Sequence, residues 1–272
     1  MLTAALFPVL FSGSPDPDVV AWRSAVTANG GSVSGGVVAQ VSRFVRGCKA
    51  DGVWDSLLEV CLFAGVDNLN AALVKLKTPS GVQRVLTNVN FVEADYVSTG
   101  ASAGLSGNKT SKYLNTGLTP VGRGMANNST QGFYQTRVVT APSLTGAGEN
   151  SGKRLNMNLT TVNTSSNMYN LTTGSLAYLT ATTGFTVASR VSSASHVIYK
   201  NGVNVASNAT SGGTITDLSY FLFAWNSNSS PTNYGDQRDT FFFIGTGMTD
   251  AMVAALSARL NTLMAGFGCN TY

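Results

Sequence analysis

The chain has little charge and no long apolar run, and both shortages exclude a class of partner. Of 272 residues, 11% are charged, and the 17 lysines and arginines are spread along the chain for a net charge of +4. Binding to a nucleic-acid backbone needs a concentrated basic surface, so we expect no nucleic-acid partner. A membrane-spanning helix needs about 20 apolar residues, and no stretch approaches that length.

With three cysteines and a single histidine, the chain has few side chains that could bind a metal ion or act as a catalytic nucleophile. Cys48, Cys61 and Cys269 lack the spacing of a zinc or redox motif, so we expect buried free thiols and no cofactor. His196 stands in HVIYKNGVNVAS, where apolar residues alternate on either side of Asn201-Gly202. This pattern is typical of a β-hairpin, and we interpret His196 as a structural or solvent-facing residue rather than a catalytic base.

Hydrophobic periodicity predicts a helical layer in the first third of the chain. From residue 18 to about residue 77, apolar residues recur at helical spacing. Two stripes carry this signal, at Val37, Val41, Phe44, Val45 and Cys48 and at Trp54, Leu57, Leu58, Cys61 and Leu62. We predict three or four short helices joined by glycine turns, with Asp18 capping the first and Asp67 capping the last.

Alternating apolar and polar positions predict β structure from residue 81 onward. About nine short segments of this kind follow one another, which indicates an antiparallel β-sandwich or jelly roll. A helix at 249–265 then closes the chain, capped by Thr249 and stopped by Gly266. The prediction is a mainly β protein with an apolar arm at 1–17, a helical region at 18–80 and a β-sandwich at 81–272.

The order of these pieces resembles a known family. A strand carrying Arg190, the hairpin YKNGV, the aromatic strand FLFAW, a loop rich in Asn and Ser, and FFFIGTGMTDAMVAALSARLNTLM resemble the end of a concanavalin A-like or laminin-G-like jelly roll. The preceding VSRFVRGCKADGVWDSLLEVCLFAGVDNLNAALVKLK is similar to the helical opening of this domain in virion proteins of tailed bacteriophages and prophages. The resemblance covers residues 36–266 and implies a non-enzymatic virion structural protein of the tail, a fibre or the capsid decoration.

The N-terminal arm is the predicted assembly element. An apolar arm is normally covered by a neighbouring subunit, so we expect it to contact other virion proteins or a second copy, and trimers are common among such components. The arm residues expected to make these contacts are Leu6, Phe7, Val9, Leu10 and Phe11. Because the arm has no basic residue and contains a proline, it does not resemble a signal peptide. We expect synthesis in the host cytoplasm and a final location in the virion.

A carbohydrate-binding adhesin, or receptor-binding module, is the main alternative function. Sugars are held by aromatic faces together with amides and hydroxyls, and two predicted loops offer such groups for a host-surface glycan. The candidate glycan-binding residues are Phe133, Tyr134, Trp225, Asn226, Asn228, Tyr234 and Asp236. For Trp225, which alternates with Phe221 and Phe223, packing in the core remains the other interpretation.

A glycan hydrolase is the weaker alternative. Such an enzyme needs two carboxylates at a fixed separation, and no predicted strand carries two acids on one face. Asp236 and Asp239 are the closest pair, and we interpret them as solvated charges of a loop around Arg238. The same two acids are candidates for calcium, but a calcium cage needs more oxygen ligands, and no metal is expected.

Overall fold

The computed structural model describes six stretches of the chain, residues 14–79, 84–149, 152–168, 176–178, 183–209 and 213–271. The residues of the N-terminal arm predicted to make assembly contacts lie outside the described residues. No helix in the described stretches is both long enough and apolar enough to cross a membrane.

Four helices and seventeen short strands follow one another in these stretches. The helices are α1 Pro17–Ala28, α2 Gly35–Ala50, α3 Leu69–Ala72 and α4 Asp250–Gly266. The strands are β1 Leu57–Leu62, β2 Thr87–Val89, β3 Tyr96–Val97, β4 Gly104–Ser106, β5 Tyr113–Asn115, β6 Ser129–Arg137, β7 Ser143–Gly148, β8 Arg154–Leu159, β9 Thr164–Met168, β10 Leu176–Tyr178, β11 Gly184–Ser192, β12 Ser195–Lys200, β13 Val203–Asn208, β14 Phe221–Leu222, β15 Trp225–Ser227, β16 Ser230–Thr232 and β17 Arg238–Gly245.

The strands form two sheets that face each other. Sheet 1 has the order β13-β12-β11-β6-β17-β4-β3, with β1 also paired to β17, and all its pairs are antiparallel. Sheet 2 has the order β10-β9-β8-β7-β14-β5-β2, and β15 pairs with both β7 and β16. Phe242 of sheet 1 meets Tyr220 between the sheets, with their ring centroids 5.3 Å apart. The predicted mainly β sandwich is therefore confirmed.

The helices cover the outer side of sheet 1. Phe44 of α2 packs edge-on against Phe241 of β17, with 5.8 Å between the ring centroids. At the other end of the layer, Tyr199 of β12 donates a hydrogen bond to the Asp250 carboxylate of α4 at 2.7 Å. In the described chain, the main packing contacts of the helices are with one another, with sheet 1 and with the turn before β1. Sheet 1 is thus buried on both faces.

Strand β1 corrects part of the helical prediction. Residues 57–62 carry a stripe at helical spacing, but they form a strand paired with β17. Leu57, Val60, Cys61 and Leu62 are all fully buried, because β1 has the helices on one side and sheet 2 on the other. A strand buried on both faces reads as an apolar run without a period of two, so periodicity alone did not separate it from a helix.

The predicted helix caps are right for α4 and wrong by one or two residues elsewhere. Thr249 accepts a hydrogen bond from the backbone of Met252 and caps α4 as expected. Asp16, rather than Asp18, caps α1, because Pro17 already occupies the first helical position. The segment after Asp67 forms only the single turn α3, and its cap is Asn68.

The predicted hairpin and the predicted thiols are confirmed. Asn201 and Gly202 join β12 to β13 with φ angles of 50° and 84°, which is the left-handed pair that an Asn-Gly turn of type I′ requires. The three cysteines are buried and free, and burial raises the pKa of the Cys48 thiol to about 12.

We predict that Gly202→Ala destabilises the protein by about 1 kcal/mol more than Gly52→Ala does. Both glycines have left-handed φ angles, 84° and 69°, so both variants carry the strain of an L-residue there. An added Cβ at Gly202 would also lie 2.9 Å from Ser257 Cβ on α4, whereas nothing lies within 4 Å at Gly52. Urea unfolding of both variants measures the difference, and equal losses would show that the turn does not pack on α4.

Candidate functional site

Two of the predicted glycan-binding residues belong to the core. Phe133 and Tyr134 lie on β6 rather than in a loop, and they are 2% and 0% exposed. Phe133 pairs with Phe242 and faces the interior of the sandwich. Tyr134 lies under the helical layer, where its hydroxyl donates to Asn270 Oδ1 at 3.1 Å. Neither ring is accessible to a glycan, so these two assignments are wrong.

The two acids of the hydrolase alternative sit in different surroundings. Asp239 lies on β17 and is 6% exposed, so the interpretation as a solvated loop charge is wrong for this residue. Gln135 donates to its carboxylate at 3.2 Å, and burial raises the pKa of Asp239 to about 7. Asp236 accepts hydrogen bonds from the Thr140 backbone and hydroxyl at 2.9 and 2.7 Å and meets Lys109 at 3.4 Å. Burial acts to raise its pKa, but these contacts outweigh burial and lower it.

His196 joins the two sheets in the interior. It is fully buried, and its Nε2 lies 2.6 Å from the Ser166 hydroxyl of β9. Burial, assisted by the charge of Arg190, lowers its pKa to about 3, so the ring is neutral near pH 7. These surroundings agree with a structural histidine. Among the described residues, no three His, Cys, Asp or Glu side chains cluster as metal ligands would.

We predict that Asp239→Asn stabilises the protein at pH 8 but not at pH 4. The native carboxyl has a pKa of about 7, against 3.8 for an unperturbed aspartate, so between these pH values the folded state binds more protons than the unfolded state. Stability therefore falls as pH rises, by up to about 1.4 kcal/mol per pH unit for this group. Thermal unfolding from pH 4 to 8 measures the difference from the wild type.

The exposed Asp55→Asn is the control for removing one carboxylate. Because every other titrating group is common to both proteins, the difference between the wild-type and Asp239→Asn curves reports Asp239 alone. A difference that stays constant from pH 4 to 8 would contradict a buried, protonated Asp239.

Polar residues occupy the outer face of sheet 2, the face turned away from the core. Along β8, Leu155, Met157 and Leu159 are buried in the interior, so the alternate residues Arg154, Asn156 and Asn158 project outward. On the neighbouring β9, Ser165 and Asn167 pair with Asn158 and Asn156 and share their side of the sheet. We call these amide and hydroxyl side chains, Asn156, Asn158, Ser165 and Asn167, the amide ladder.

An aromatic row lies on the same face, across strand β7. Phe221 and Trp225 both have Gly146 of β7 as their pairing partner, and Phe223, with φ of 65°, turns the chain between them. The row continues with Tyr113, whose ring centroid lies 4.7 Å from that of Phe221 and 6.4 Å from that of Tyr234. We call the four residues Trp225, Phe221, Tyr113 and Tyr234 the aromatic row.

Two glycines of β7, Gly146 and Gly148, lie between the amide ladder and the aromatic row, and we call them the glycine floor. Gly146 and Gly148 project no side chain from the outer face of β7, opposite Asn156 and Arg154 of β8. An added Cβ at Gly148 would lie 2.9 Å from Arg154 Cγ and 3.2 Å from Trp225 Nε1. The Arg154 guanidinium lies over the indole ring of Trp225, 5.2 Å from its centroid. Trp225 and Arg154 therefore come together directly above the glycine floor.

Three hydrogen-bonding atoms of this region have no partner. They are Trp225 Nε1, Arg154 Nε and Asn156 Oδ1, and all three are buried. A buried polar atom without a partner costs about 1–3 kcal/mol, and native proteins retain few of them. Arg154, Tyr113 and Tyr234 are only half-buried, so the region is open at its edges. The chemistry present suits a ligand with hydroxyls and an apolar ring face.

Sequence reasoning found part of this surface. Trp225 and Tyr234 belong to the aromatic row, but Trp225 is only 9% exposed, as the alternative interpretation of packing in the core expected. Asn226 points to the inner side of sheet 2, where its amide donates to the Ser219 carbonyl at 2.8 Å, and Asn228 lies in the turn before β16. Arg154, Asn156 and the glycine floor were missed, although alternate glycines in TGAG followed by alternate asparagines in RLNMNL were a readable signal.

The two facing antiparallel sheets define a β-sandwich of the jelly-roll type. No protein-family model matches the chain, and no curated protein matches it. Solved structures do: the receptor binding domain of botulinum neurotoxin C/D mosaic serotype matches with a TM-score of 0.52, at 12% identity, over 75% of this chain and 51% of that one. The botulinum neurotoxin serotype D binding domain matches with a TM-score of 0.50, again at 12% identity and over 75% and 51%. The chain spans about half the length of these structures, and the similarity shows the fold alone.

Proposed function

We propose that this protein is a carbohydrate-binding or receptor-binding module that holds a glycan on the outer face of sheet 2. The observation that carries the proposal is that three side chains bordering the glycine floor, Trp225, Arg154 and Asn156, each have a buried polar atom without a partner. Buried polar atoms are normally paired. A ligand that pairs them recovers the free energy that the unbound protein gives up.

The aromatic row and the amide ladder would contact different parts of a bound sugar. Aromatic faces take the apolar face of a pyranose ring, and amides exchange hydrogen bonds with its hydroxyls. Trp225 and Tyr113 supply faces, and Asn156 and Asn158 supply amides. None of these side chains is a carboxylic acid, so the proposal is binding without hydrolysis. The receptor-binding domains that share the fold support this choice only by analogy.

We predict that Trp225→Phe weakens glycan binding about five- to tenfold and also lowers stability, because the indole is only 9% exposed and the smaller ring leaves part of its space empty. The substitution keeps an aromatic face but removes the indole N–H, which has no partner in the unbound protein and is worth about 1 kcal/mol to a ligand that pairs it. Binding is measured with immobilised neutral and acidic oligosaccharides, followed by calorimetry with the best of them.

Trp22→Phe is the matched control. The Trp22 indole N–H donates to the Val74 carbonyl at 3.2 Å, so this variant loses an existing hydrogen bond. We expect it to lose about 1 kcal/mol of stability and to bind glycans normally. If no oligosaccharide binds the wild type, the proposed function is wrong.

For the setting of this module we retain the virion proposal, which rests on the resemblance of the chain to phage virion proteins. One structural observation supports assembly through the arm. A cavity of about 390 Å³ on the helical layer is lined by Pro15, by Val38, Ala39 and Ala50 of α2, and by Arg43, Arg46 and Arg259. Pro15 is close to where the arm enters the described chain. An apolar segment of a neighbouring copy would find apolar side chains there.

We predict that removal of residues 1–13 reduces the molar mass of the protein assembly in solution. This deletion keeps Asp16, the cap of α1. Leu10→Asp in the full chain should act in the same direction because it places a charge in an apolar contact, and Thr3→Asp is the control for the added charge. Light scattering measures the mass of each protein. A mass that both the deletion and Leu10→Asp leave at the wild-type value would contradict assembly through the arm.

A further inference from the structure

Arg154 carries a positive charge that the described chain does not neutralise. Its guanidinium lies over Trp225 and its Nε has no hydrogen-bond partner, and no described carboxylate forms an ion pair with it. The adjacent Lys153 is different, because its ammonium group lies 3.1 Å from the Glu149 carboxylate. Of these two neighbouring cations, only Lys153 has a carboxylate as its partner.

The Trp225 indole N–H and the Arg154 side chain lie close together above Gly148. The position of an added Cβ at Gly148 is 3.2 Å from Trp225 Nε1 and 2.9 Å from Arg154 Cγ, so the indole N–H and the Arg154 side chain share one small region. Neither donor can accept a hydrogen bond. Whatever pairs both must therefore supply acceptor oxygens, and beside an arginine the strongest acceptors carry negative charge.

The position also limits what else the ligand contains. Asn156 follows Arg154 by two residues on the same face of β8, and its unpartnered Oδ1 is an acceptor. It requires a donor from the ligand, and a sugar hydroxyl is one. An anionic group with a hydroxyl a few ångströms away is the chemistry of an acidic sugar.

We propose that the outer face of sheet 2 selects acidic glycans, with the carboxylate or sulfate of the sugar bound between Arg154 and Trp225 Nε1. This inference rests on the proposed function and adds the ligand class to it. The Arg154 guanidinium neutralises the anion, the Trp225 indole donates a second hydrogen bond, and Asn156 accepts from a neighbouring hydroxyl. The aromatic row then takes the uncharged part of the sugar chain.

The test compares each acidic oligosaccharide with its own neutral form. The probes are an oligogalacturonate and its carboxyl-reduced derivative, and a sulfated oligosaccharide and its desulfated derivative. We expect the wild type to bind at least one acidic probe tenfold or more tightly than the matched neutral probe. The first pair reports carboxylate and the second reports sulfate, so the preferred pair identifies the anion.

Arg154→Gln should abolish the preference of the wild type, and Lys153→Gln should keep it. Both substitutions remove one positive charge from adjacent positions, so a general electrostatic effect would appear equally in both. Arg154→Lys should retain only part of the preference, because lysine keeps the charge but lacks the planar fork of guanidinium donors. Thermal unfolding of each variant confirms that the fold is intact.

The outcomes separate this inference from the proposed function. Binding of neutral and acidic forms with equal affinity, still weakened by Trp225→Phe, would overturn the acidic preference and leave the glycan-binding function standing. An equal loss in Arg154→Gln and Lys153→Gln would also overturn the assignment to Arg154. Failure of all four probes together with failure of the wider oligosaccharide set would overturn both.

Discussion

The apolar character of β17 on both of its faces determines the arrangement of the rest of the protein. Phe241 turns outward to meet Phe44 of the helical layer, and Phe242 turns inward to meet Tyr220 between the sheets. A strand of this kind needs a covering layer on each side. Sheet 2 provides one layer and the helices provide the other. The chain therefore forms three layers, and the helices are part of the core rather than an appendage.

This arrangement leaves the outer face of sheet 2 as the broad sheet surface without a helix packed on it in the described chain. An antiparallel sheet can expose one face to water, and that face then carries polar residues. The amide ladder of β8 and β9 fits this expectation. Trp225 and Phe221 lie on the same side of the sheet but are only 9% and 5% exposed, so their rings are largely covered rather than open to water. Their presence beside a glycine floor is what distinguishes this face from an ordinary solvated sheet.

Local signals predicted the local features well, and features that depend on distant strands were out of reach. Asn201-Gly202 specifies its own turn, and Thr249 specifies its own helix start. By contrast, β1 reads as a helix because its apolar residues face two layers at once. Trp225 could be placed in an aromatic strand, but the strands that bring Gly148 and Arg154 beside it lie about 70 to 80 residues earlier. Pairing at that separation leaves no pattern within either segment.

Burial of polar groups separates structural residues from candidate binding residues only when hydrogen-bond partners are considered. Asp239 and His196 are buried, and each has a hydrogen-bond partner, Gln135 and Ser166 respectively, although the second ring nitrogen of His196, Nδ1, has none. Other buried polar atoms also lack partners, among them Glu59 Oε1, Gln237 Oε1 and Ser143 Oγ, and the last two lie close together beside Gly235. On the outer face of sheet 2, two donors and one acceptor without partners lie on β8 and β15, the strands on either side of β7. A single unpaired atom is a local compromise of packing, whereas a complementary set on neighbouring side chains is the reason to propose a binding site.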